Sequence, residues 1–253
     1  MLPNRMIRPT AIIFDLDDTL IGRQGRVQDA WLDALAIVPE LTERHDLATI
    51  VATLTAARGR AWADSQRRAG PALDYAGARA ALVADALDQL GFAGDADLAD
   101  RLKEGISHHT GRSSYLLDGA LDVLAVLHRT GIPMALLTNG ESRTQRGKIE
   151  RFALASYFEH ILIEEEVGAG KPHDGAYIAA LERIGHPTGV IWMIGDHLEN
   201  DIAGPKRHGM RTIWFNPERT PGPIDPQARA DSEIAALTEL MVLFGIEQGE
   251  GGK

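Results

Sequence analysis

The chain of 253 residues contains no cysteine. Disulfide bonds, thiolate nucleophiles and zinc–thiolate sites are therefore excluded. Long apolar runs are also missing, and none approaches the roughly 20 residues that a membrane-spanning helix needs. The first apolar run, at residues 11–14, is only four residues long, which is too short for the core of a signal peptide. We therefore expect no membrane partner and a cytoplasmic location.

Positive charge is scarce, because 26 basic residues face 36 acidic ones and the formal net charge is −10. A protein that binds the phosphate backbone of a nucleic acid needs a basic surface, so no nucleic-acid partner is expected. A small anionic substrate would need local positive charge or a metal ion. The remaining composition, 44% hydrophobic and 25% charged, is that of an ordinary globular protein.

The stretch at residues 11–20, AIIFDLDDTL, runs from four apolar residues into three aspartates. An apolar run without alternation predicts a strand buried on both faces, as in a parallel sheet. Asp15 and Asp17 would then lie in the crevice beyond the carboxyl end of that strand, where open α/β sheets bind ligands. Two like charges about 4 Å apart repel by roughly 4 kcal/mol at an effective dielectric of 20, so the cluster favours a cation. The alternative is a solvated turn in which Asp18 or Thr19 caps a helix.

An alanine-rich helical pattern fills residues 27–111, with room for four or five helices. A crossover between parallel strands needs only about a dozen residues, so this segment is predicted to be an insertion. Strand and helix patterns then alternate, which indicates an α/β fold with a doubly wound, Rossmann-like parallel sheet. The predicted strands are 132–137, 160–163, 190–194 and 211–215, and a last amphipathic helix is predicted at 234–244. The predicted domains are an α/β core (1–22 and 113–246), a helical domain (23–112) and a disordered tail (247–253).

Two further polar clusters follow predicted strands. Thr138, Asn139 and Gly140 supply a hydroxyl, an amide and backbone N–H groups near the start of a helix, which can hold a phosphate. An ordinary helix cap would use the same residues. Lys171 lies in the loop GAGKP, where a lysine by itself would simply be solvated.

A last acidic pair, Asp196 and Asp201, straddles the turn after the strand predicted at 190–194. Two carboxylates in this arrangement suit a hard divalent cation. Alternatively, Asp201 or Asn200 caps the helix that follows. Each cluster is a weak indication by itself, but all four follow the carboxyl ends of successive predicted strands.

In this order the clusters resemble the four motifs of the haloacid dehalogenase-like superfamily. The matched segments are DLDDT at 15–19, TNG at 138–140, KP at 171–172 and the stretch from Gly195-Asp196 through Asp201. The intervening segments TQRGKIERFALASYFEHI and EEEVGAGKP also resemble the branch that carries a helical cap between motifs one and two. The resemblance covers almost all of the predicted core. The predicted insertion would then be an all-α cap domain. It resembles the cap of that branch only in its position in the chain and its helical character.

The resemblance implies a phosphatase that hydrolyses a small phosphorylated metabolite through an aspartyl-phosphate. Asp15 would be the nucleophile, and Asp17 would protonate the leaving oxygen and then deprotonate the hydrolytic water. Thr138 and the backbone of Asn139, followed by Gly140, would hold the phosphoryl oxygens. Lys171 would neutralise their charge.

The resemblance also implies Mg²⁺ as cofactor. The ion would bind Asp15, the backbone carbonyl of Asp17 and Asp196, while Asp201 would orient Lys171 or a water on the metal. Dehalogenases of the superfamily act without a metal and lack the second aspartate of the first motif, so Asp17 favours phosphoryl chemistry. A phosphomutase, or a binding protein that keeps the fold without turnover, are the alternatives. The protein is expected to be a monomer or a homodimer.

Several other polar residues are open to two interpretations. His197 could tune the metal's surroundings, although a solvent-exposed histidine is favoured. His108 and His109, with Glu104, mimic the spacing of metal ligands, but a separate site in the predicted cap is disfavoured. Four arginines could select an anionic substrate tail, although a solvated helix face is favoured: Arg58, Arg60, Arg67 and Arg68. Opening of the cap is predicted to pivot at residues 22–25 and 111–114.

Overall fold

The computed structural model places most of the chain. The described residues are 8–23, 31–32, 34–68, 70, 72–112, 114–187, 190–223, 225 and 229–246. For 65–68 and 107–112 the description covers the backbone but not the side chains. The predicted disordered tail at 247–253 lies outside the described residues.

A parallel sheet forms the centre of the fold. In chain order the strands are β1 Ala11–Phe14, β2 Ile21–Arg23, β3 Ser114–Leu116, β4 Met134–Thr138, β5 His160–Ile163, β6 Ile191–Gly195, β7 Arg211–Phe215 and β8 Ser232–Ile234. Six of them form the sheet in the order β5-β4-β1-β6-β7-β8, with every neighbouring pair parallel. The chain builds outwards from β1 through β4 and β5, then returns to the other side of β1 for β6. Ligands bind at such a reversal of strand order in open α/β sheets.

Helices connect the strands and fill the predicted insertion. In chain order they are α1 Pro39–Arg44, α2 Leu47–Arg68, α3 Tyr75–Gln89, α4 Ala96–Arg112, α5 Ala120–Arg129, α6 Ser142–Arg151, α7 Glu164–Val167, α8 Asp174–Ile184, α9 Gly204–Arg207 and α10 Glu239–Leu243. A 3₁₀ turn covers Leu154–Tyr157, and a π-helical segment covers Leu198–Ala203. None of the helices in the described part of the chain combines the length and the apolar composition that a bilayer crossing requires.

The predicted strand at residues 11–14 is confirmed, and it is buried on both faces. Ile12 and Phe14 pack into the apolar cluster on one side of the sheet, and Ala11 and Ile13 pack into the cluster on the other. This two-sided burial explains why the strand is apolar at every position. The α/β class with a parallel, doubly wound sheet is likewise confirmed.

The helices α1–α4 pack around an apolar cluster of their own, which includes Trp31, Leu54, Leu87 and Leu102. Both connections between this segment and the sheet run through the antiparallel pair of β2 and β3, in which Gly22 lies opposite Tyr115. Residues 24, 25 and 113 of the predicted hinge lie outside the described residues. The division of the chain into two domains and the pivot between them stay predictions.

Two predicted elements have different bounds in the structure. The strand expected at 132–137 begins at Met134, because Pro133 carries no N–H and contributes only its carbonyl, which accepts from the Ile12 amide at 3.0 Å. The helix expected at 234–244 is wrong at its start. Ile234 ends β8 opposite Phe215, and the helix covers only Glu239–Leu243. A short apolar run does not distinguish a strand from a helix by periodicity.

Candidate active site

Asp15 directly follows β1, and 7% of its surface is exposed. Its amide donates to the Ile194 carbonyl at 2.9 Å, so the backbone is still fixed by pairing with β6 at this position. The side chain receives a bond from the Lys171 ammonium, with Nζ 2.7 Å from Asp15 Oδ1 and 2.7 Å from Asp201 Oδ1. Lys171 therefore links a carboxylate after β1 to a carboxylate in the π-helical segment after β6.

The backbone of Lys171 is itself held by Asn139. The Asn139 side chain donates to the Lys171 carbonyl at 2.6 Å, and its Oδ1 accepts from the Lys171 amide at 2.7 Å. Two bonds between one side chain and one residue leave the lysine little freedom to move. The side chain of Asn139 therefore fixes Lys171, and the predicted phosphate contact through the Asn139 backbone remains a prediction.

A group of three carboxylates forms around this lysine. The side chains of Asp15, Asp196 and Asp201 each offer a ligand atom, and these atoms lie within 4.8 Å of one another. The buried Asp201 accepts from the His197 amide at 3.0 Å through Oδ2. Asp196 accepts a longer bond, 3.3 Å, from the Thr19 hydroxyl. The structure thus brings together predicted ligands that lie as far apart in sequence as residues 15 and 201.

The electrostatics of this group favour a cation. Burial raises the pKa of Asp15 to about 8 despite the opposing effect of Lys171, and the charge of Asp201 adds to the rise. Burial and the charge of Asp201 also raise the pKa of Asp196 to about 6. Burial opposes the charge on Lys171, but Asp15 and Asp201 hold its pKa above the usual range. Three carboxylates around one ammonium carry excess negative charge, and an all-carboxylate donor set fits a hard divalent cation such as Mg²⁺.

Asp17 lies in a different network. Its carboxylate accepts two bonds from the Lys148 ammonium, at 2.7 and 2.9 Å, and one from the Gln145 amide at 2.8 Å. Both partners belong to α6, which follows the predicted TNG motif. Neither residue was singled out from the sequence. The two are three residues apart, however, and this spacing places them on one face of a helix. The predicted metal contact of Asp17 involves its backbone carbonyl and stays a prediction.

The TNG segment carries two further contacts. The buried hydroxyl of Thr138 lies 2.6 Å from Gln145 Nε2 and 3.3 Å from the Asn139 carbonyl. The amide of Gly140 donates to Glu164 Oε2 at 3.2 Å, and its φ of 129° favours glycine. The N–H group predicted to hold a phosphoryl oxygen at Gly140 is therefore engaged with Glu164 in this structure.

Glu164, at the start of α7, joins the sheet to the helical insertion. Only 2% of this residue is exposed, and its two carboxylate oxygens accept from the Leu73 amide at 2.8 Å and from the Tyr75 hydroxyl at 2.6 Å. Burial and the adjacent Glu164 hold the pKa of Tyr75 well above its usual range. The sequence offered no specific sign of this role, because Glu164 is the first of three consecutive glutamates.

Two ion pairs reinforce the same contact between the insertion and the sheet. Arg79 pairs with Glu141 at 2.6 Å, and Glu104 pairs with Arg143 at 2.8 Å. A cavity of about 800 Å³ is lined by residues of both the insertion and the sheet. Its lining includes Trp62, Tyr75, Asn139, Lys171, His197 and Arg207. The predicted cap therefore packs against the side of the sheet that carries the acidic group.

Solvent exposure was the favoured interpretation for His197 and for the arginines of the insertion, and the described side chains agree with it. His197 is exposed, and its Nδ1 accepts from the Asn200 amide at 3.3 Å. Arg58 is exposed, and Arg60 pairs with Asp85 at 2.8 Å on the insertion surface. The side chains of four other candidates lie outside the described residues: Arg67, Arg68, His108 and His109.

A family model described as haloacid dehalogenase-like hydrolase matches residues 9–209. The chain belongs to this family. The resemblance predicted from the four motifs is thereby confirmed, and the carboxylate group after β1 and β6 lies in the matched part of the chain.

Known relatives extend the likeness beyond the motifs. Phosphoserine phosphatase of Thermus thermophilus is 36% identical over 119 residues, 47% of this chain and 47% of that protein, so the chain spans about half of this curated relative. The structure of a putative HAD-hydrolase of Bacillus subtilis bound to magnesium matches with a TM-score of 0.68 and 25% identity, over 94% of this chain and 100% of that one. A 2-haloacid dehalogenase of Pseudomonas syringae matches with a TM-score of 0.70 and 27% identity, over 93% and 97%. Both a phosphatase and a dehalogenase are thus similar to this hydrolase.

Proposed function

We propose that this hydrolase is a Mg²⁺-dependent phosphatase that cleaves a small phosphomonoester through an aspartyl-phosphate on Asp15. The observation that supports it most is the pairing of two carboxylates with different surroundings. Asp15 shares Lys171 with Asp201 inside the acidic group, while Asp17, two residues later, is held by α6. Two carboxylates with separate environments suit a nucleophile and a proton carrier.

In the first step Asp15 attacks the phosphorus atom. Lys171 holds Oδ1 of Asp15, so Oδ2 is the attacking oxygen. The bond from phosphorus to the leaving oxygen breaks, and the carboxylic acid of Asp17 gives its proton to that oxygen. The Lys171 ammonium and the Thr138 hydroxyl offset the charge on the phosphoryl oxygens.

In the second step water attacks the phosphorus atom of the aspartyl-phosphate. The carboxylate of Asp17 takes the proton of that water, and the bond from phosphorus to Asp15 breaks. The products are inorganic phosphate and the free Asp15 carboxylate, and Asp17 is again in its acid form. Each residue therefore returns to its starting state after one turnover.

Asp15, Asp196 and the backbone carbonyl of Asp17 would hold the Mg²⁺ ion, with Asp201 orienting Lys171. When bound, Mg²⁺ would offset negative charge so that an anionic carboxylate and an anionic phosphate can approach each other. The raised pKa values of Asp15 and Asp196 support this assignment, because burial makes ionisation of these carboxyl groups costly and Lys171 alone does not offset that cost.

The likeness to a 2-haloacid dehalogenase makes carbon–halogen hydrolysis the second candidate. That reaction needs a carboxylate nucleophile but no proton carrier for a leaving alcohol, since halide leaves as an anion. Asp17 and its bonds to Lys148 and Gln145 would have no function in such a reaction. The presence of Asp17 therefore favours phosphoryl chemistry.

The test is a substrate panel with purified protein and Mg²⁺. Phosphate release from a set of small phosphomonoesters, including p-nitrophenyl phosphate, is expected for the wild type, and chloride release from 2-chloropropionate is not. Asp15→Asn should lower phosphate release by roughly 10³-fold or more, because it removes the nucleophile without changing its shape. Asp97→Asn, an exposed aspartate of the insertion paired with Arg101, is the matched control.

Three results would contradict the proposal. Chloride release without phosphate release would identify a dehalogenase. Transfer of the phosphoryl group to a second substrate hydroxyl, without free phosphate, would identify a phosphomutase. No turnover of any kind would favour a binding protein.

A further inference from the structure

Asp17 is held by a buried pair of side chains from α6. The Lys148 ammonium lies 2.7 Å from Oδ1 and 2.9 Å from Oδ2 of Asp17, and Gln145 Nε2 lies 2.8 Å from Oδ2. Lys148 is 3% exposed and Gln145 is 2% exposed. A lysine is almost never buried to this degree unless its charge is paired. The contact therefore accounts for the position of Lys148 inside the protein.

The hydrogen atoms of Lys148 are fully used in this arrangement. An ammonium group has three donors, and the three nearby acceptors are the two oxygens of Asp17 and the Gln145 Oε1 atom at 2.8 Å. The last contact also fixes the orientation of the Gln145 amide, because only the oxygen of an amide can accept from a lysine. The amide nitrogen of Gln145 must then face Asp17.

Gln145 joins Asp17 to the predicted phosphate-binding segment. Its Nε2 atom has two hydrogens but lies within bonding distance of three acceptors: Asp17 Oδ2 at 2.8 Å, Thr138 Oγ1 at 2.6 Å and the Asn139 carbonyl at 2.9 Å. Oδ2 of Asp17 thus faces two donors and Oδ1 faces one, which leaves Oδ1 as the oxygen with room for contact with the substrate.

We propose that Lys148 and Gln145 are positioning residues that hold the Asp17 carboxylate against the segment carrying Thr138, so that the proton carrier keeps a fixed position relative to the bound phosphate. The inference rests on the proposed phosphatase function. Lys148 and Gln145 act through Asp17 and do not bind the substrate. Sequence position gives no indication of this link, since Lys148 and Asp17 are 131 residues apart.

Leaving-group dependence separates a positioning role from other roles. A proton carrier matters most when the leaving oxygen is strongly basic, as in phenyl phosphate, and least when it is weakly basic, as in p-nitrophenyl phosphate. The two esters have nearly the same shape. The ratio of their kcat/KM values reports formation of the aspartyl-phosphate, because hydrolysis of that intermediate is common to both.

The experiment measures kcat/KM for both esters, with Mg²⁺ present, in the wild type and in Lys148→Met, Gln145→Met and Asp17→Asn. Lys148→Met should lower the value for phenyl phosphate by roughly 10- to 100-fold and that for p-nitrophenyl phosphate by less than about 3-fold. Gln145→Met should give the same pattern with a smaller effect. The inhibition constant of inorganic phosphate should change by less than about 3-fold in Lys148→Met, because Lys148 bonds to Asp17 and Gln145 and not to Thr138 or the substrate.

A double variant tests whether Lys148 acts through Asp17. Once Asp17→Asn has removed the proton carrier, adding Lys148→Met should change kcat/KM for phenyl phosphate by less than about 3-fold, since residues of one unit are not additive. This double variant also removes both charges of the pair. If Lys148→Met fails to fold, Gln145→Met and the charge-balanced double variant still decide the question, with circular dichroism as the check on folding.

Arg146→Met is the matched control, because Arg146 is a basic residue of the same helix that pairs with Glu166 at 2.6 Å. Arg146→Met should leave the kcat/KM values for both esters unchanged. Equal losses for the two esters in Lys148→Met, weaker inhibition of that variant by phosphate, or additive effects of Lys148→Met and Asp17→Asn would overturn the inference while leaving the phosphatase intact. If the wild type releases phosphate from neither ester, the proposed function fails and the positioning role falls with it.

Discussion

Replacing Lys171 by methionine tests the electrostatic account of the acidic group. Lys171 Nζ lies 2.7 Å from oxygens of both Asp15 and Asp201, and all three side chains are buried. Methionine keeps most of the volume of the lysine but removes its charge and both hydrogen bonds. The two carboxylates would then face each other without a cation between them.

The cost of this change follows from the contacts. Each charge-assisted hydrogen bond contributes about 1.5–3 kcal/mol, and breaking a buried ion pair by removing one partner costs about 3–5 kcal/mol. Lys171→Met should therefore lower the free energy of unfolding by about 3–5 kcal/mol at pH 9 in the absence of metal. Loss of the ammonium raises the pKa of Asp15 above the value of about 8 that it has beside Lys171. At pH 5.5 Asp15 is neutral in both folded proteins, and their Asp15 titrations differ only above the wild-type value of about 8. Each pH unit in that range changes the difference by about 1.4 kcal/mol, so the loss at pH 5.5 should be smaller than the loss at pH 9 by about 1 kcal/mol.

The measurement is urea denaturation of wild type and variant in EDTA at pH 5.5 and pH 9. The double variant Lys171→Met with Asp201→Asn removes one of the two uncompensated charges and should recover at least about 1 kcal/mol at pH 9, because the two sites are coupled. Lys103→Met serves as the control, since Lys103 forms a surface pair with Asp100 that contributes about 0–1 kcal/mol. A loss that is equal at both pH values, or no loss, would refute the reasoning.

Two further predictions concern the metal and the insertion. The folded pKa values of Asp15 and Asp196, about 8 and about 6, exceed their ordinary 3.8, so the folded state binds more protons and metal-free stability should fall as pH rises from about 4 to about 8. MgCl₂ should therefore raise the urea midpoint more at pH 8 than at pH 5, and an equal rise at both would contradict the site. Tyr75→Phe removes the hydroxyl 2.6 Å from Glu164 and should cost about 1.5–3 kcal/mol in urea denaturation. The control is Tyr157→Phe, at a half-buried tyrosine whose ring packs against His128, and it should cost less than about 1 kcal/mol. Equal costs would show that the bond between Tyr75 and Glu164 does not contribute specifically to stability.

Local pattern was enough to predict the frame of this fold. The four apolar residues of β1 form a strand buried on both faces because both sides of a parallel sheet are covered by apolar clusters. Polar residues at or directly after the carboxyl ends of β1, β4 and β6 then meet at one edge, because parallel strands end on the same side. Periodicity along the chain contains this information, so Asp15, Thr138 and Asp196 could be assigned to one site.

Contacts that join distant elements could not be predicted in this way. Gln145 and Lys148 look like ordinary residues of an amphipathic helix until α6 is placed beside Asp17. Glu164 is one of three consecutive glutamates, and only the packed insertion supplies the Leu73 amide and the Tyr75 hydroxyl that it binds. The roles of these residues depend on partners more than 80 positions away in the sequence, and local propensity contains no information about such partners.

The negative charges that favour a metal ion in the structure are not the ones that the sequence suggests. In the sequence, Asp15 and Asp17 look like one repulsive cluster that needs a cation between them. In the structure the two carboxylates contact different lysines, Lys171 at 2.7 Å from Asp15 and Lys148 at 2.7 Å from Asp17, so repulsion within the DLDD stretch is no longer a reason to expect a metal. The excess charge arises instead from Asp196 and Asp201, which the sheet brings to Asp15 from the far end of the chain. A variant that neutralises Asp17 should therefore leave metal-dependent stabilisation intact, whereas one that neutralises Asp196 should weaken it.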